Sequence, residues 1–307
     1  MKLASKRLPP EIVEIELINV CNLRCEICER GNPSYIQKPI KIMTFGNFKK
    51  IIDTYNYPIN RIQFCGTSEP LLNPDLPKMI NYVKIKKKPK KIELITNATL
   101  LSKQISKNLI KSGLNLLEAS VDGPDTRTYE KIRHFNFKKL TDNLKNFKKL
   151  AKKKVHFGIN CVVNSLNYNS LIKMPSFAKE VGADTIEFRI YETNLLNLKS
   201  LAIHDKKKLE FLKDKILKKC KNLKINCDFW NIDEIQNEKC NLETEANINS
   251  ESSLTPCYHL PNLVIQKLGK DKFSKIWKGK KVSALLSKIN KNKFLDECSC
   301  FMAISKK

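Results

Sequence analysis

The 307-residue chain reads as an α/β protein built around a largely parallel sheet. Two observations carry that reading. Strand-like and helix-like runs alternate six times between residues 11 and 190, at about 30 residues per unit, the spacing of βαβ repeats. Polar motifs also fall at the C-terminal ends of the strand-like runs: residues 21–28, 66–70, 96–97, 120–122, and Asn164 with Asn167. A doubly wound open sheet and a curved partial barrel both fit this order, and periodicity does not separate them.

Taken in order, residues 1–10 are a basic lead-in ending in Pro9-Pro10. Residues 11–20 alternate, with Val13, Ile15 and Leu17 on one face and Glu14 and Glu16 on the other, which suits a first strand. Thr44 is placed to N-cap a helix running to residue 55, with Phe48, Ile51 and Ile52 as its apolar stripe. A second strand over 61–65 leads to Asn73 as cap and Pro74 as the opening of the next helix. The third strand covers 91–96, followed by a helix capped by Ser102. The fourth, 116–121, runs into Asp122-Gly123-Pro124 and a helix that includes Tyr129, Ile132 and Arg133. A helix over 138–152, a strand over 156–163, a helix over 168–181 and a strand over 185–190 complete the six units. Past residue 191 the cadence lapses into a basic amphipathic helix over 205–221, a short strand over 223–229 and a polar stretch over 240–256 that reads as a loop. The expected organisation is a lead-in (1–10), a core (11–190) and a C-terminal extension (191–307).

Apolar residues make up 41% of the chain, a globular composition. No run of about 18 apolar residues occurs and the first 20 residues lack a secretory pattern, so a cytoplasmic protein without a membrane span is expected. In a reducing compartment, eleven cysteines read as metal ligands or buried thiols instead of disulfides. The 57 Lys and Arg residues against 31 Asp and Glu give a formal net charge of +26. Nearly all those cations are lysines scattered over every helix, whereas base and phosphate recognition favours arginine with interleaved aromatics. A nucleic-acid partner is possible on charge alone but not favoured over solvated helix faces.

The most specific motif is Cys21-Asn22-Leu23-Arg24-Cys25-Glu26-Ile27-Cys28, a C-x3-C-x2-C triad directly after an apolar run. At this cysteine frequency roughly 0.014 such patterns would arise by chance in a chain of this length. Three thiolates on one tight loop can hold three irons of a cubane cluster and leave the fourth open to another ligand. A tetrahedral zinc would need a fourth protein ligand nearby, and the first histidine is His134. Cys65 and Cys161 lie in strands and read as small buried hydrophobes, with Cys65 close to a strand end. Six more cysteines, at 220, 227, 240, 257, 298 and 300, crowd the C-terminal third, a density that points to a second metal site.

The triad, in its C-N-L-R-C form, resembles the signature of the radical SAM superfamily. The resemblance implies a partial (β/α)6 barrel, a [4Fe-4S] cluster on Cys21, Cys25 and Cys28, and S-adenosylmethionine chelating the open iron. It places Ile27 near the adenine. Gly66-Thr67-Ser68-Glu69-Pro70 resembles the family's G-G-E-P or G-x-G-E-P segment, with Ser68 where a second glycine is common. There, backbone groups accept hydrogen bonds from the cofactor's ammonium. Thr96-Asn97-Ala98 resembles T-N-G without its glycine. Ser120-Val121-Asp122-Gly123 resembles S-x-D-G, whose polar groups reach the ribose or carboxylate. Asn164, ending the fifth strand, completes the implied cofactor-binding set. Tyr129-x-x-Ile132-Arg133 recurs in the family, although packing and surface roles suit a helical Tyr and Arg equally.

The extension resembles a shortened SPASM or twitch domain through Cys257-Tyr258-His259-Leu260, Leu268-Gly269-Lys270 and terminal Cys298-Ser299-Cys300. It departs from the full pattern in cysteine number and in its C-x-C ending. It therefore implies at most one auxiliary iron–sulfur cluster, on Cys257, Cys298 and Cys300 with Cys240 as fourth ligand. The leading expectation is a radical enzyme that cleaves S-adenosylmethionine and abstracts hydrogen from a peptide or protein side chain, a sugar or another small metabolite. A flavodoxin or ferredoxin would be its electron donor. The alternatives are a nucleic-acid-modifying radical enzyme and a non-catalytic iron–sulfur or electron-transfer protein. No motif identifies a catalytic side chain.

Overall fold

The computed structural model describes residues 7–33, 35–36, 39–191, 196–229, 241–257, 260 and 262–290. Seven strands follow one another across a single sheet: β1 (Ile12–Ile15), β2 (Arg61–Phe64), β3 (Lys91–Thr96), β4 (Leu116–Ser120), β5 (His156–Val163), β6 (Thr185–Ile190) and β7 (Asn226–Phe229). Each is parallel to the one before it. The crossovers are helical: α1 (Phe45–Thr54), α2 (Leu76–Lys87), α3 (Lys103–Ser112), α4 (Thr126–Arg133), α5 (Phe137–Ala151), α6 (Met174–Val181) and α7 (Lys206–Leu223). On the far side of β1, β8 (Glu245–Ile248) adds in parallel. Antiparallel β9 (Ser253–Thr255) and β10 (Gln266–Lys267) follow it.

Alternation along the strands sorts side chains between two faces. Val13, Ile15, Ile62, Phe64, Leu94, Leu117, Ile159 and Phe188 are buried against the helices and form the core. The opposite face carries Glu14, Gln63, Glu93, Glu118 and Asn160. This face is concave. Glu14 on β1 is acted on electrostatically by Arg189 on β6, yet five strand steps in a flat sheet would separate those strands by about 24 Å. The sheet therefore curls into a partial barrel with its helices outside, which settles the choice that periodicity left open.

Local chemistry explains most boundaries. Thr44 accepts a hydrogen bond from the Asn47 N–H and Ser102 one from the Ile105 N–H, so both cap as expected. Asn73 does not cap. Its amide donates to the carbonyls of Leu17 and Met43 at 3.0 and 2.9 Å, while its Oδ1 accepts from the Asp75 N–H. The helix starts two residues later, behind Asp75. The run over 168–181 is a short 3-10 turn (Leu171–Lys173) followed by α6.

The polar stretch over 240–256 is not simply a loop, because it holds β8 and β9. Glu245-Ala246-Asn247-Ile248 alternates with period two, burying Ala246 and Ile248 in the core and turning Glu245 and Asn247 inward. Polar composition concealed a strand whose wet face looks into the barrel. Past residue 190, then, the chain supplies strands to both flanks of the sheet. α8 (Phe273–Trp277) packs against α1, with the Phe273 ring stacked on Tyr55 at 4.4 Å, and α9 (Lys280–Asn290) follows it.

Candidate functional site

The loop after β1 carries Cys21, Cys25 and Cys28 to the C-terminal end of the sheet, where partial barrels concentrate their chemistry. Tight turns fix its path: the Cys28 N–H donates to the Cys25 carbonyl at 3.0 Å and the Gly31 N–H to the Cys28 carbonyl at 2.9 Å. A Cβ on residue 31 would lie 2.1 Å from the Cys25 carbonyl oxygen, so only glycine lets the chain fold back over the second thiol. The segment after β2 and helix α4 hold the loop from outside. The Glu69 N–H donates to the Val20 carbonyl at 3.1 Å and the Glu26 N–H to the Ile132 carbonyl at 2.9 Å. The Asn97 amide reaches both Asn22 Oδ1 at 3.0 Å and Cys21 Sγ at 3.7 Å, and Asn22 donates in turn to Thr99 Oγ1 at 2.9 Å. Arg30, buried, donates to the carbonyl and hydroxyl oxygens of Thr67.

Burial pushes the Cys25 thiol up to about 11, with the Arg133 guanidinium opposing, and burial likewise raises Cys28. Metal coordination takes the thiolate and releases the proton, so a nearby fixed cation favours loading. That cation is Arg133. Its Nε lies 2.6 Å from Asp122 Oδ2, and the two side chains are 12% and 0% exposed. The surface role open to Arg133 from its sequence is therefore ruled out. Among the described residues, no three thiol, carboxylate or imidazole groups close on one point as the donors of a single ion do. A cubane, whose irons occupy separate corners, accepts sulfurs that are spread apart. Cys21 and Cys28 both act electrostatically on Cys25, and three thiols gathered on one loop are the donor chemistry such a cluster takes.

The other residues singled out from the sequence divide into two groups. Glu69, Asp122 and Asn164 are spent inside the protein. Glu69 accepts from Thr96 Oγ1 at 2.7 Å and from the N–H groups of Asn97 and Leu71 at 2.8 and 3.0 Å. Asp122 accepts from Arg133 and, at 2.8 Å, from the Val162 N–H. Asn164 is wholly buried and bonded to Val162, Leu166 and Asn167. Ile27, Gly66, Thr67, Ser68 and Ser120 are half-buried instead. The Ser68 hydroxyl has no protein partner despite being buried. Gly66 has φ +132°, and a Cβ there would strike the Glu16 side chain at 2.8 Å. Cys65 and Cys161 are buried, as is Cys257. Cys240, Cys298 and Cys300, with Tyr258 and His259, lie outside the described residues.

Sequence reasoning missed Arg30 and the polar concave face. The signal was present in the alternation of Glu14 and Glu16, which a strand flanked by helices on its apolar side must turn into a lumen instead of bulk water. Burial raises Glu14 to about 8, with Glu245 and Glu93 adding to it, and burial raises Glu118 to about 7. Glu14, Glu16, Cys65, Gly66 and Asn247 line a cavity of about 10 Å³, the space of about one water molecule. A pH dependence follows from these groups. With Glu14 near 8 when folded and 4.5 as the ordinary value of a glutamate, the folded protein keeps a proton that the unfolded chain gives up between those values. Stability falls as pH rises from about 4.5 to about 8, by something on the order of a few kcal/mol. Glu14→Gln will flatten that slope in urea midpoints measured across the range, and superimposable slopes for variant and wild type would contradict it.

A curved α/β sheet with a three-thiol loop across its C-terminal mouth defines a barrel protein of the iron–sulfur class. Residues 15–174, just over half the chain, match the family model of the Radical SAM superfamily, and the chain belongs to that superfamily. The chain is 30% identical over 201 residues to GTP 3′,8-cyclase of Clostridium acetobutylicum, covering 62% of each protein. The curated relatives are thus matched over less than two thirds of their own length. Among solved structures, Streptococcus suis SuiB bound to its precursor peptide SuiA superposes with a TM-score of 0.74 at 16% identity, over 90% of this chain and 66% of that one. The anSMEcpe structure with bound AdoMet and a Kp18Cys peptide gives 0.70 at 20% identity, over 95% and 89%. At these identities the structural likeness speaks for the fold alone. No helix among the described residues is long and apolar enough to cross a membrane.

Proposed function

We propose that the chain is an S-adenosylmethionine-dependent radical enzyme whose site is the mouth of the partial barrel. The observation that carries this reading is the convergence there of the three-thiol loop, Asn97 and the buried Arg133. When bound, a [4Fe-4S] cluster and S-adenosylmethionine supply reductive cleavage of the sulfonium and a 5′-deoxyadenosyl radical that abstracts a substrate hydrogen. Cys21, Cys25 and Cys28 hold the cluster. Asn97 steadies Cys21, and Arg133 offsets the charge gathered at Cys25. The half-buried Gly66–Ser68 segment, with its unpartnered Ser68 hydroxyl, would receive the cofactor's ammonium, and Ile27 would lie on its adenine side. Ser120 would reach the ribose or carboxylate. Glu69, Thr96, Asp122 and Asn164 are positioning residues that hold those loops. Residues 11–190 are the radical core and 191–307 its extension, with Cys257, Cys298, Cys300 and Cys240 holding one auxiliary cluster. The substrate is a peptide side chain or a small metabolite, with peptides favoured by the peptide-bound neighbours, and the reductant is a flavodoxin or ferredoxin in the cytoplasm.

Anaerobic reconstitution followed by dithionite and S-adenosylmethionine tests the reading directly: 5′-deoxyadenosine forms, and about eight irons per chain accompany it. About four irons would remove the auxiliary site alone. No 5′-deoxyadenosine from a fully loaded protein would leave a non-catalytic iron–sulfur protein.

A further inference from the structure

We propose that the pocket inside the barrel at Glu14 and Asn247 binds a protonated amino group of the substrate. This rests on the radical-enzyme reading above for the lumen's role as a substrate chamber. The two residues are register partners across β1 and β8 and line the same cavity. Asn247 is 2% exposed and Glu14 7%. Neither the amide oxygen nor the amide nitrogen of Asn247 has a hydrogen-bond partner, nor does Glu14 Oε2. Buried polar groups are normally paired, so a cluster of orphans marks a place where something else supplies the partners.

What supplies them is set by donor arithmetic and by charge. Glu93 Oε1 and Asn160 Oδ1 on the same face are also unpartnered. Once Glu14 gives up its proton, the orphans named are four acceptor oxygens and one donor group, the Asn247 amide. An ammonium brings three donors and no acceptor, and its head is about the size of the one water molecule that this cavity would hold. Coulombic interactions link Glu14, Glu93, Glu118, Glu187 and Glu245 around the lumen, and the cation acting on Glu14 and Glu118 is Arg189. A chain whose formal charge is +26 has turned an acidic surface inward, which repels phosphates and carboxylates and attracts cations. Burial disfavours the ionised Glu14 in the empty lumen, so an arriving cation draws its proton off and binding releases a proton to the buffer.

Titration calorimetry on the anaerobically reconstituted full chain, with saturating S-adenosylmethionine present, tests this. Agmatine and Nα-acetyl-lysine methylamide are the cationic probes, and Nα-acetyl-norleucine methylamide is the neutral isostere. Both cations bind more tightly than the isostere by about 10-fold or more, and Glu14→Gln removes most of that preference. Equal binding of lysine and norleucine probes to the wild type overturns the proposal without recourse to any variant. So does an unchanged preference in Glu14→Gln, or cation binding that appears only when S-adenosylmethionine is left out, which would assign the site to the cofactor. Comparing agmatine with a lysine-containing peptide of about ten residues and its norleucine counterpart tells a free amine from a peptide side chain as the source. Formation of 5′-deoxyadenosine by wild type without any probe reports separately on the radical-enzyme reading.

Discussion

Replacing Cys21, Cys25 and Cys28 together with alanine will abolish 5′-deoxyadenosine formation and remove about four irons per chain, the content of one cubane. The fold should survive. The triad sits on a loop outside the strands, and the apolar contacts of β1, β2 and the flanking helices do not pass through it. Circular dichroism and a cooperative urea transition close to wild type are therefore expected beside the lost activity. An active triple variant sinks the assignment, because no other three thiols among the described residues share a loop at this mouth.

The second large effect is expected at Arg133. Substituting methionine keeps much of the side chain's length but strands the Asp122 carboxylate, which is 0% exposed and 2.6 Å from the guanidinium. Removing one partner of a buried ion pair costs about 3–5 kcal/mol because the other charge is left without compensation. Urea midpoints for Arg133→Met will fall accordingly, while Arg133→Met combined with Asp122→Asn recovers part of the loss. Cluster loading should not recover in the double variant, since Cys25 still lacks the cation that opposes its burial. A double variant that loads iron as wild type does would reduce Arg133 to packing alone. Recovery of stability without loading separates an electrostatic role toward the thiols from a structural one.

Much of this architecture could be read in advance, and the reasons are local. β3, β5 and β6 occupy the residues expected of them, since β-branched runs bounded by caps and turns encode their own limits. The caps at Thr44 and Ser102 also depend only on residues three positions away. The failures depend on distant chain. Asn73 looks like a cap within its own segment, yet its amide is claimed by carbonyls 56 and 30 residues away. β8 looks like a loop because its polar residues have a destination only once β1 lies beside it. Glu69 and Asp122 match motif positions, but which of their oxygens remain for a ligand depended on which backbone N–H groups the fold aimed at them.

By itself the sequence established the α/β cadence, the cysteine triad at the end of the first strand and the superfamily it signals, because spacing along the chain is enough to place three ligands on one loop. Only the tertiary structure decided that the sheet curls, that Arg133 pairs with Asp122 within electrostatic reach of Cys25, and that an overwhelmingly basic protein turns an acidic face inward. Those outcomes depend on which faces meet across strands far apart in the chain, and on burial, which governs the strength of charge and hydrogen bonding and has no expression in a linear string.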